Sequence, residues 1–171
     1  MIDLVELHKS DLKDLHLIMK NPKVARFLPE QSYESVEMVV ELFDLLFAAI
    51  RDEKGYAWKI VDKNIVPFRT IGLVDVLLIE PEKSMGSLAY ILSESYWGKG
   101  LGTAVLKTII SWAFFQIGLK KLMAPVVRRN VGSTKVLKRS GFSLVKQRKR
   151  TVNFDGKPDI VEIYELSNPD L

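Results

Sequence analysis

The sequence predicts one mixed α/β domain, α+β-like in the order of its elements, with a central and mostly antiparallel sheet of seven strands flanked by about four helices. Three observations support this prediction. The 171 residues are the size of one domain (1–171), and they are 47% hydrophobic and 27% charged, which favours a folded core over disorder. Strand patterns come in runs rather than in strict alternation with helices, which favours a mixed sheet. No repeat, linker or low-complexity stretch interrupts the chain.

The N-terminal half is predicted to hold two helices and four strands. Ser10 is a suitable N-cap for the first helix, which we expect to end near Asn21-Pro22. From Ser35 to Arg51, apolar residues recur at three- and four-residue steps, which predicts an amphipathic helix. The strands are expected over Ile2 to Leu7, Tyr56 to Val61, Thr70 to Ile79 and Ser87 to Leu92.

The C-terminal half is predicted to add two helices and three strands. A helix is expected from Thr103 to Ile117, with Gly118 behind it as a left-handed cap. A short helix is expected from Ser133 to Ser140. The strands are expected over Leu119 to Val127 and in a hairpin of Phe142 to Phe154 and Asp159 to Leu166 around Asp155-Gly156.

The composition excludes several kinds of chemistry. The chain has no cysteine, which excludes disulfides, thiolate metal sites and cysteine nucleophiles. Its two histidines, His8 and His16, form no metal-binding pattern, so we expect no metal. No apolar run is long enough to cross a bilayer, and Asp3 and Glu6 interrupt the first apolar segment, unlike in a signal peptide, so a cytoplasmic protein without a membrane partner is expected. The net charge of +4 suits an anionic cofactor, a nucleic acid or an acidic partner equally well.

The strongest candidate for a ligand site is the stretch from Trp97 to Thr103, Trp-Gly-Lys-Gly-Leu-Gly-Thr. Its three alternating glycines let the backbone approach a ligand closely. Because the stretch joins a predicted strand to a predicted helix, backbone N–H groups and the positive helix end would point at one spot, which suits a phosphate. It is not a nucleotide P-loop, because no Ser or Thr follows Lys99, and the third glycine of a dinucleotide fingerprint would fall at Thr103. The pattern alone also fits a glycine-rich turn without a ligand.

This glycine loop resembles the acetyl-CoA signature of the GCN5-related N-acetyltransferases, Gln/Arg-x-x-Gly-x-Gly/Ala, with Trp97 in the first place. A second block, from Asn130 to Phe142, is similar to the Asn-x-x-Ser-x-x-x-Leu-x-Lys-x-Gly-Phe segment of the branch resembling the ribosomal-protein-alanine acetyltransferases RimJ and RimL. The spacing of the two blocks agrees over nearly the whole chain. The resemblance implies that family's fold and an enzyme that transfers acetyl from acetyl-CoA to a primary amine by direct attack in a ternary complex.

The resemblance also implies roles for residues of the two blocks. Backbone N–H groups from Gly98 to Thr103 would bind the cofactor pyrophosphate. The strand end at Ile91 and Leu92 would pair with the pantetheine arm and polarise the thioester. Asn130 would hydrogen-bond this arm, and Arg139 would meet a phosphate or lie on a solvated helix face. The cofactor-binding residues implied in this way are Ile91, Leu92, Trp97, Gly98, Lys99, Gly100, Leu101, Gly102, Thr103, Asn130, Ser133 and Arg139.

The acid and the base are less clearly marked. Many relatives have a tyrosine seven residues after the asparagine of the second block, where this chain has Leu137. The resemblance implies that Ser133 protonates or hydrogen-bonds the departing thiolate, whereas the alternative is that it only caps the helix it begins. A carboxylate is a suitable base if burial raises its pKa. The catalytic candidates are Asp75, Glu94 and Glu41, and each also fits an ordinary surface carboxylate.

Three functions remain open from the sequence. The first is acetyl transfer to a protein α-amine or to a small-molecule amine such as a polyamine or an aminoglycoside. The second is a catalytically silent module that binds CoA or an acidic partner. The third is RNA binding by the basic run from Lys146 to Arg150, but no aromatic residue interleaves this run, so no nucleic-acid partner is expected.

The acceptor pocket and the assembly are the least determined features. The acceptor is expected to be a small molecule or a peptide, bound by the region from Asn21 to Arg51 and by the final hairpin. Tyr90 either lines the acceptor site or fills the core, and Trp97 either belongs to the cofactor site or anchors its loop. A monomer and a homodimer are both compatible with the sequence.

Overall fold

The computed structural model describes residues 2–28, 35–80, 84–151 and 158–170, and within them it contains one seven-stranded sheet and five α-helices. The strands are β1 (Ile2–Glu6), β2 (Gly55–Asp62), β3 (Arg69–Glu80), β4 (Met85–Leu92), β5 (Lys121–Val127), β6 (Ser143–Thr151) and β7 (Pro158–Ser167). The helices are α1 (Leu12–Met19), α2 (Pro22–Ala25), α3 (Val36–Arg51), α4 (Leu101–Phe115) and α5 (Val131–Arg139). The predicted fold class is confirmed.

The sheet is divided near its centre by its one parallel pair of strands. Its order is β1-β2-β3-β4-β5-β7-β6, and every neighbouring pair is antiparallel except β4 and β5. These two strands pair only over residues 85–87 and 121–123. Beyond Ser87, β4 stays paired with β3 as far as Leu92, and β5 stays paired with β7 as far as Val127. The two halves of the sheet therefore diverge and leave an opening between β4 and β5.

Two clusters of buried side chains hold the helices on the sheet. One cluster joins α4 and α5 to β3, β4 and β5, and Leu106 and Val74 are completely buried in it. The other joins α1 and α3 to β2 and β3, with Phe43 and Leu73 among its buried members. Because side chains alternate along a strand, the adjacent residues Leu73 and Val74 of β3 serve opposite clusters. The helices therefore cover both faces of the sheet.

The start of α1 differs from the prediction. A 3-10 turn, Lys9–Asp11, precedes the helix, and the Asp11 carboxylate accepts a hydrogen bond from the His8 N–H at 2.8 Å. Asp11 is also buried and accepts a hydrogen bond from Lys59 Nζ at 2.7 Å, which ties this turn to β2. The prediction that Ser10 is the N-cap is wrong, because Ser10 lies inside the 3-10 turn that His8 caps, and Asp11 occupies the N-cap position of α1.

The short helix α2 raises the number of helices above the predicted four. It begins at the point where the first helix was expected to end. The Asn21 side chain accepts a hydrogen bond from the Lys23 N–H at 2.9 Å, and Pro22 occupies the first helical position. Asparagine as N-cap and proline as first residue are both typical of helix starts. The pair Asn21-Pro22 therefore starts a second helix as well as ending the first.

The C-terminal elements agree with the prediction apart from their ends. The helix α4 covers Leu101–Phe115 rather than Thr103 to Ile117, and Gly118 has the expected left-handed conformation, with φ of 75°. The last two strands form the predicted antiparallel pair, in which β6 is the edge strand. The predicted turn at Asp155-Gly156 lies outside the described residues.

We predict that Gly72→Ala lowers the free energy of unfolding by about 2 kcal/mol, because overpacking of a tight site forces the backbone to move. A Cβ atom at position 72 would overlap the Ile91 carbonyl oxygen of the neighbouring strand β4. Urea denaturation measures the loss. The control is Gly132→Ala on α5, where the nearest atom, Asn130 Oδ1, is 3.7 Å from the added Cβ. Equal stability of the two variants would contradict this account of the β3–β4 contact.

Candidate active site

A cavity of about 810 Å³ lies at the opening between β4 and β5. It is lined by the ends of these two strands, by the loop before α4, by α5 and by residues of α1, α2 and α3. The sequence-predicted residues that line it are Asp75, Ile91, Leu92, Trp97, Gly98, Gly100, Leu101, Gly102, Thr103, Asn130, Ser133 and Arg139. Lys99, Glu94 and Glu41 are not among its lining residues. The fold therefore brings the two sequence blocks to one cavity, together with one of the three candidate carboxylates.

The glycine loop has the backbone geometry of an anion site. Gly98 and Gly100 have φ of 72° and 76°, and a Cβ at either position would meet no atom within 4 Å, so the loop faces open space. Gly100 is the N-cap of α4, which begins at Leu101 instead of the predicted Thr103. The first N–H groups of a helix have no partner inside the helix, and the helix dipole is positive there. This arrangement of donors fits a pyrophosphate.

The third glycine of the loop serves packing instead. A Cβ on Gly102 would lie 3.3 Å from Val136 on α5 and 3.6 Å from the Tyr90 ring on β4. Gly102 is itself buried in the first turn of α4. The absence of a side chain there lets α4 pack closely against both neighbours beside the cavity.

Trp97 fastens the loop to the end of β4. Its indole Nε1 donates a hydrogen bond to the Leu92 carbonyl oxygen at 2.9 Å. Its ring centroid is 6.5 Å from that of Phe27, and 38% of the residue remains exposed. Lys99, by contrast, is not among the residues that line the cavity, and its Nζ lies 5.4 Å from the centroid of the Tyr96 ring. Trp97 thus anchors the loop and also lines the cavity.

The second block begins α5 two residues earlier than predicted. The helix starts at Val131, because the Asn130 side chain accepts a hydrogen bond from the Ser133 N–H at 3.1 Å and so is the N-cap. The alternative that Ser133 only caps this helix is therefore wrong. Leu137, where many relatives have a tyrosine, is 1% exposed and belongs to the hydrophobic core.

The Ser133 hydroxyl instead contacts a residue that the sequence left undecided. The Tyr90 hydroxyl on β4 donates a hydrogen bond to Ser133 Oγ at 3.2 Å, and both residues line the cavity. Burial raises the pKa of Tyr90. The two residues are 43 positions apart in sequence, so no local pattern indicates their contact.

Asp75 is the candidate base that lies in the cavity. It stands on β3 in register with Ala57 of β2 and Ala89 of β4, two small neighbours that leave room beside its side chain. Among the described residues, no hydrogen-bond donor or cation contacts this half-buried carboxylate. Desolvation by burial raises its pKa to about 7. A carboxylate with these properties accepts a proton near neutral pH.

The other two candidates have different surroundings. Glu94 lies 2.5 Å from Lys23 Nζ and also accepts a hydrogen bond from the Asn21 side chain at 3.2 Å. The hydrogen bond from Lys23 and then that from Asn21 lower the pKa of Glu94, which is opposite to what a base at neutral pH requires. Glu41 is exposed on α3 and is not part of the cavity lining. These positions argue against Glu94 and Glu41 as the base.

The charged residues of the cavity lining are mostly cations. Asp75 is accompanied by Arg26, Arg129, Lys135 and Arg139. Lys135 and Arg139 are four residues apart on α5, so they share one face of that helix. Arg129 forms an ion pair with Asp159, with 2.7 Å between Nε and Oδ2. Sequence reasoning missed three of these cations, and the four-residue spacing from Arg139 was a usable signal for Lys135.

The described ranges contain neither a metal-binding cluster nor a membrane-spanning helix. No cluster of three or more His, Cys, Asp or Glu side chains there is arranged to hold a metal ion. None of the helices that the structure describes has the length and apolar character needed to span a bilayer. Lys146 and Arg148 of the basic run are exposed on the edge strand β6, and neither lines the cavity.

Comparison with known proteins assigns this chain to a class of acyl-group transferases. The sequence profile of the acetyltransferase (GNAT) domain matches residues 2–143, and the protein therefore belongs to the GNAT acetyltransferase family. The predicted family, the predicted enzyme class and acetyl-CoA as the family's donor are thereby confirmed.

Similar proteins differ in the acceptors that their names give. The spermidine N(1)-acetyltransferase of Escherichia coli (strain K12) is 28% identical over 143 residues, which cover 84% of this chain and 73% of that protein. The structure of spermidine N-acetyltransferase from Vibrio cholerae with CoA and spermine has a TM-score of 0.82 at 20% identity and covers 97% of this chain and 95% of its own. Ribosomal-protein-S5-alanine acetyltransferase from Vibrio fischeri has a TM-score of 0.81 at 24% identity, with 99% and 93% covered. The two structures share the fold of this chain.

We predict that Asp75→Asn becomes more stable relative to the wild type as the pH rises. The folded-state pKa of Asp75, about 7, exceeds the ordinary value of 3.8. The stabilising effect of the protonated carboxyl is therefore present at low pH and is lost as the pH rises through about 7. Between about pH 4 and pH 8 the difference in unfolding free energy should change by roughly 2 kcal/mol, allowing for partial solvent access. Urea denaturation across this range, with the exposed Glu41→Gln as control, tests it. A pH-independent difference for Asp75→Asn would contradict the raised pKa.

Proposed function

We propose that this protein transfers acetyl from acetyl-CoA to a primary amine in a ternary complex, with Asp75 as the base and Ser133 as the acid. The observation that carries the proposal is that one cavity is lined both by the open glycine loop and by an unpaired, desolvated carboxylate. The family assignment supports the reaction class.

The donor would be held by three features of the chain. The loop N–H groups from Gly98 to Thr103 would bind the pyrophosphate. Lys135 and Arg139 on α5 would add positive charge for phosphates at the same cavity. The edge of β4 beyond Ser87, which includes Ile91 and Leu92, has no strand partner on the β5 side among the described residues, and it suits an extended arm.

The base would act from β3 at the level of the opening. Asp75 pairs in register with Ala89, which lies two residues beyond the last β4–β5 pair. Above its pKa of about 7, the carboxylate accepts the proton that the amine loses. The half-buried position keeps the carboxylate poorly solvated, which is the cause of its raised pKa.

The acid would act from α5. Because the Tyr90 hydroxyl donates to Ser133 Oγ, the Ser133 proton is not used in that bond and can be donated elsewhere. Acetyl-CoA supplies an acetyl thioester, so the transfer forms a carbon–nitrogen bond and breaks a carbon–sulfur bond. The amine proton goes to Asp75. The sulfur leaves with its electron pair and takes a proton from Ser133. Ser133 recovers a proton from water, and the hydroxide that this leaves takes the amine proton from Asp75, which restores both groups.

Calorimetry and a thiol-release assay test the proposal directly. We expect acetyl-CoA to bind at micromolar concentration and CoA thiol to appear when an amine is added. The assay has no background from the protein, which contains no cysteine. The acceptors would include peptides with ribosomal-protein N-termini, polyamines and aminoglycosides. A folded protein that does not bind acetyl-CoA refutes the proposal, and binding without turnover of any amine favours a catalytically silent module.

A matched pair of glycine variants tests the loop. Gly100 and Gly118 have nearly equal φ of 76° and 75°, and a Cβ added at either would meet no atom within 4 Å, but only Gly100 lines the cavity. Alanine at either position should cost about 1 kcal/mol of stability through the left-handed backbone. Only Gly100→Ala should also weaken acetyl-CoA binding, by about tenfold. Calorimetry checks this, and equal affinities in the two variants would remove the loop from the donor site.

The acid is tested by removing each hydroxyl in turn. Ser133→Ala should lower kcat by about a hundredfold, within the usual range for general acid–base catalysis. Tyr90→Phe should lower kcat less, by about tenfold, because it leaves the Ser133 hydroxyl in place but without its partner. Steady-state kinetics at saturating acetyl-CoA measures both effects. Ser133→Thr, which keeps a hydroxyl, should recover part of the rate, and full activity of Ser133→Ala would exclude Ser133 as the acid.

A further inference from the structure

We infer that the acceptor is a primary amine carried on an uncharged, apolar group, and that polyamines and aminoglycosides are poor acceptors for this protein. The inference rests on the proposed function and specifies the acceptor of the same cavity. It follows from two properties of the described lining, which are its charges and its apolar surface.

The charges of the cavity oppose an acceptor with several ammonium groups. Asp75 is the one carboxylate among the described residues that line it, whereas Arg26, Arg129, Lys135 and Arg139 are cations. An ammonium group taken out of water needs an anionic or other strong acceptor partner. Asp75 would serve the amine that reacts, so a second ammonium group would find no further carboxylate in the described lining. Lys135 and Arg139 are assigned to the donor phosphates and Arg129 is held in an ion pair, so the cation that the second ammonium group would meet is Arg26.

The side chains around Asp75 are apolar. Leu73 and Leu77 stand two positions to either side of it on β3 and line the same cavity. The helices in front of the sheet contribute Met19, Val24, Leu42 and Leu46 to the lining. Because Met19, Val24, Leu46 and Leu73 are already buried, the surface that an apolar group can cover is that of Leu42 and Leu77. Covering it gains free energy by excluding water. The body that carries the reacting amine should therefore be apolar.

Leu45 extends the apolar lining of the cavity to an exposed position on α3. It lines the cavity from α3, yet 71% of it is exposed. A large apolar side chain held at the wall of a binding cavity is covered when an apolar ligand enters. Leu17 on α1 is also exposed, at 46%, but it is not part of this cavity lining, so it provides a matched control.

The test compares terminal monoamines and diamines of equal length. Butylamine, hexylamine, diaminobutane and diaminohexane are assayed for kcat/KM at saturating acetyl-CoA. Hexylamine should exceed butylamine by about tenfold, since each buried methylene corresponds to about 0.8 kcal/mol. Each diamine should be at least about tenfold poorer than its monoamine, as expected for an unpaired charge in a desolvated site. A diamine preferred over its monoamine overturns the inference while leaving the proposed function intact.

The same chemistry is found in a free alkylamine and in a peptide with an apolar first residue. A short peptide amide that begins with leucine, compared with one that begins with lysine, extends the assay to this second source. Preference for the leucine peptide over both the lysine peptide and hexylamine identifies a peptide acceptor. Preference for hexylamine identifies a small-molecule acceptor. Preference for the lysine peptide overturns the inference.

A pair of variants tests the wall of the cavity. Leu45→Glu adds a carboxylate at an exposed position, and it should raise kcat/KM for diaminohexane and lower it for hexylamine, each by about tenfold. Leu17→Glu adds the same charge outside the cavity and should change neither value. If both variants behave alike, Leu45 does not contact the acceptor and the inferred role of this wall is overturned.

Binding separates failure of the inference from failure of the proposed function. The amines are titrated by calorimetry into protein saturated with CoA. Hexylamine that binds more tightly than diaminohexane, without any turnover, supports the apolar acceptor site and refutes the proposed catalysis. Tighter binding of diaminohexane, or no binding of either amine, overturns the inference whatever the turnover.

Discussion

The cavity proposed as the active site depends on the divergence of β4 from β5 beyond Ser87. Each strand keeps its other edge paired beyond this point, β4 with β3 as far as Leu92 and β5 with β7 as far as Val127. The divergence leaves two strand edges whose N–H and C=O groups need partners. An extended ligand arm satisfies such an edge in the way that an added strand does. The opening in the sheet thus leaves backbone N–H and C=O groups with which the donor would form hydrogen bonds.

The divergence also places side chains from the two halves of the sheet on opposite sides of the cavity. Asp75 and Tyr90 belong to one half of the sheet, while Asn130 and Ser133 follow β5 in the other half. The hydrogen bond from Tyr90 to Ser133 joins the two halves beside the cavity. The same hydrogen bond thus holds the two halves of the sheet together and positions the proposed acid, so removing either hydroxyl would affect both. Because the bond has both roles, Tyr90→Phe is expected to change the free energy of unfolding as well as kcat.

The glycine loop and the second block were predictable because their information is local. Glycine spacing between a strand and a helix, and an asparagine three residues before a serine, leave a pattern in consecutive residues. The sequence named Asp75 as one of three candidate bases, but the choice among the three was not predictable in this way. The raised pKa of Asp75 depends on register with Ala57 and Ala89 and on apolar residues from distant helices, none of which a single strand reveals. The same holds for the contact of Tyr90 with Ser133 and for the cations Arg26 and Arg129, whose neighbours in space are far away in sequence.

The apolar wall and the base are coupled through the electrostatics of the cavity. Desolvation is the cause of the raised pKa of Asp75, so a ligand that keeps water out preserves it. A second ammonium group beside this carboxylate would act in the opposite direction, because an adjacent positive charge favours the ionised form and lowers the pKa. A carboxylate whose pKa is lowered is a weaker base for the amine proton. An acceptor with one amine on an apolar body would therefore suit both the binding surface and the proposed chemistry, whereas a polycation would lower the pKa of the proposed base.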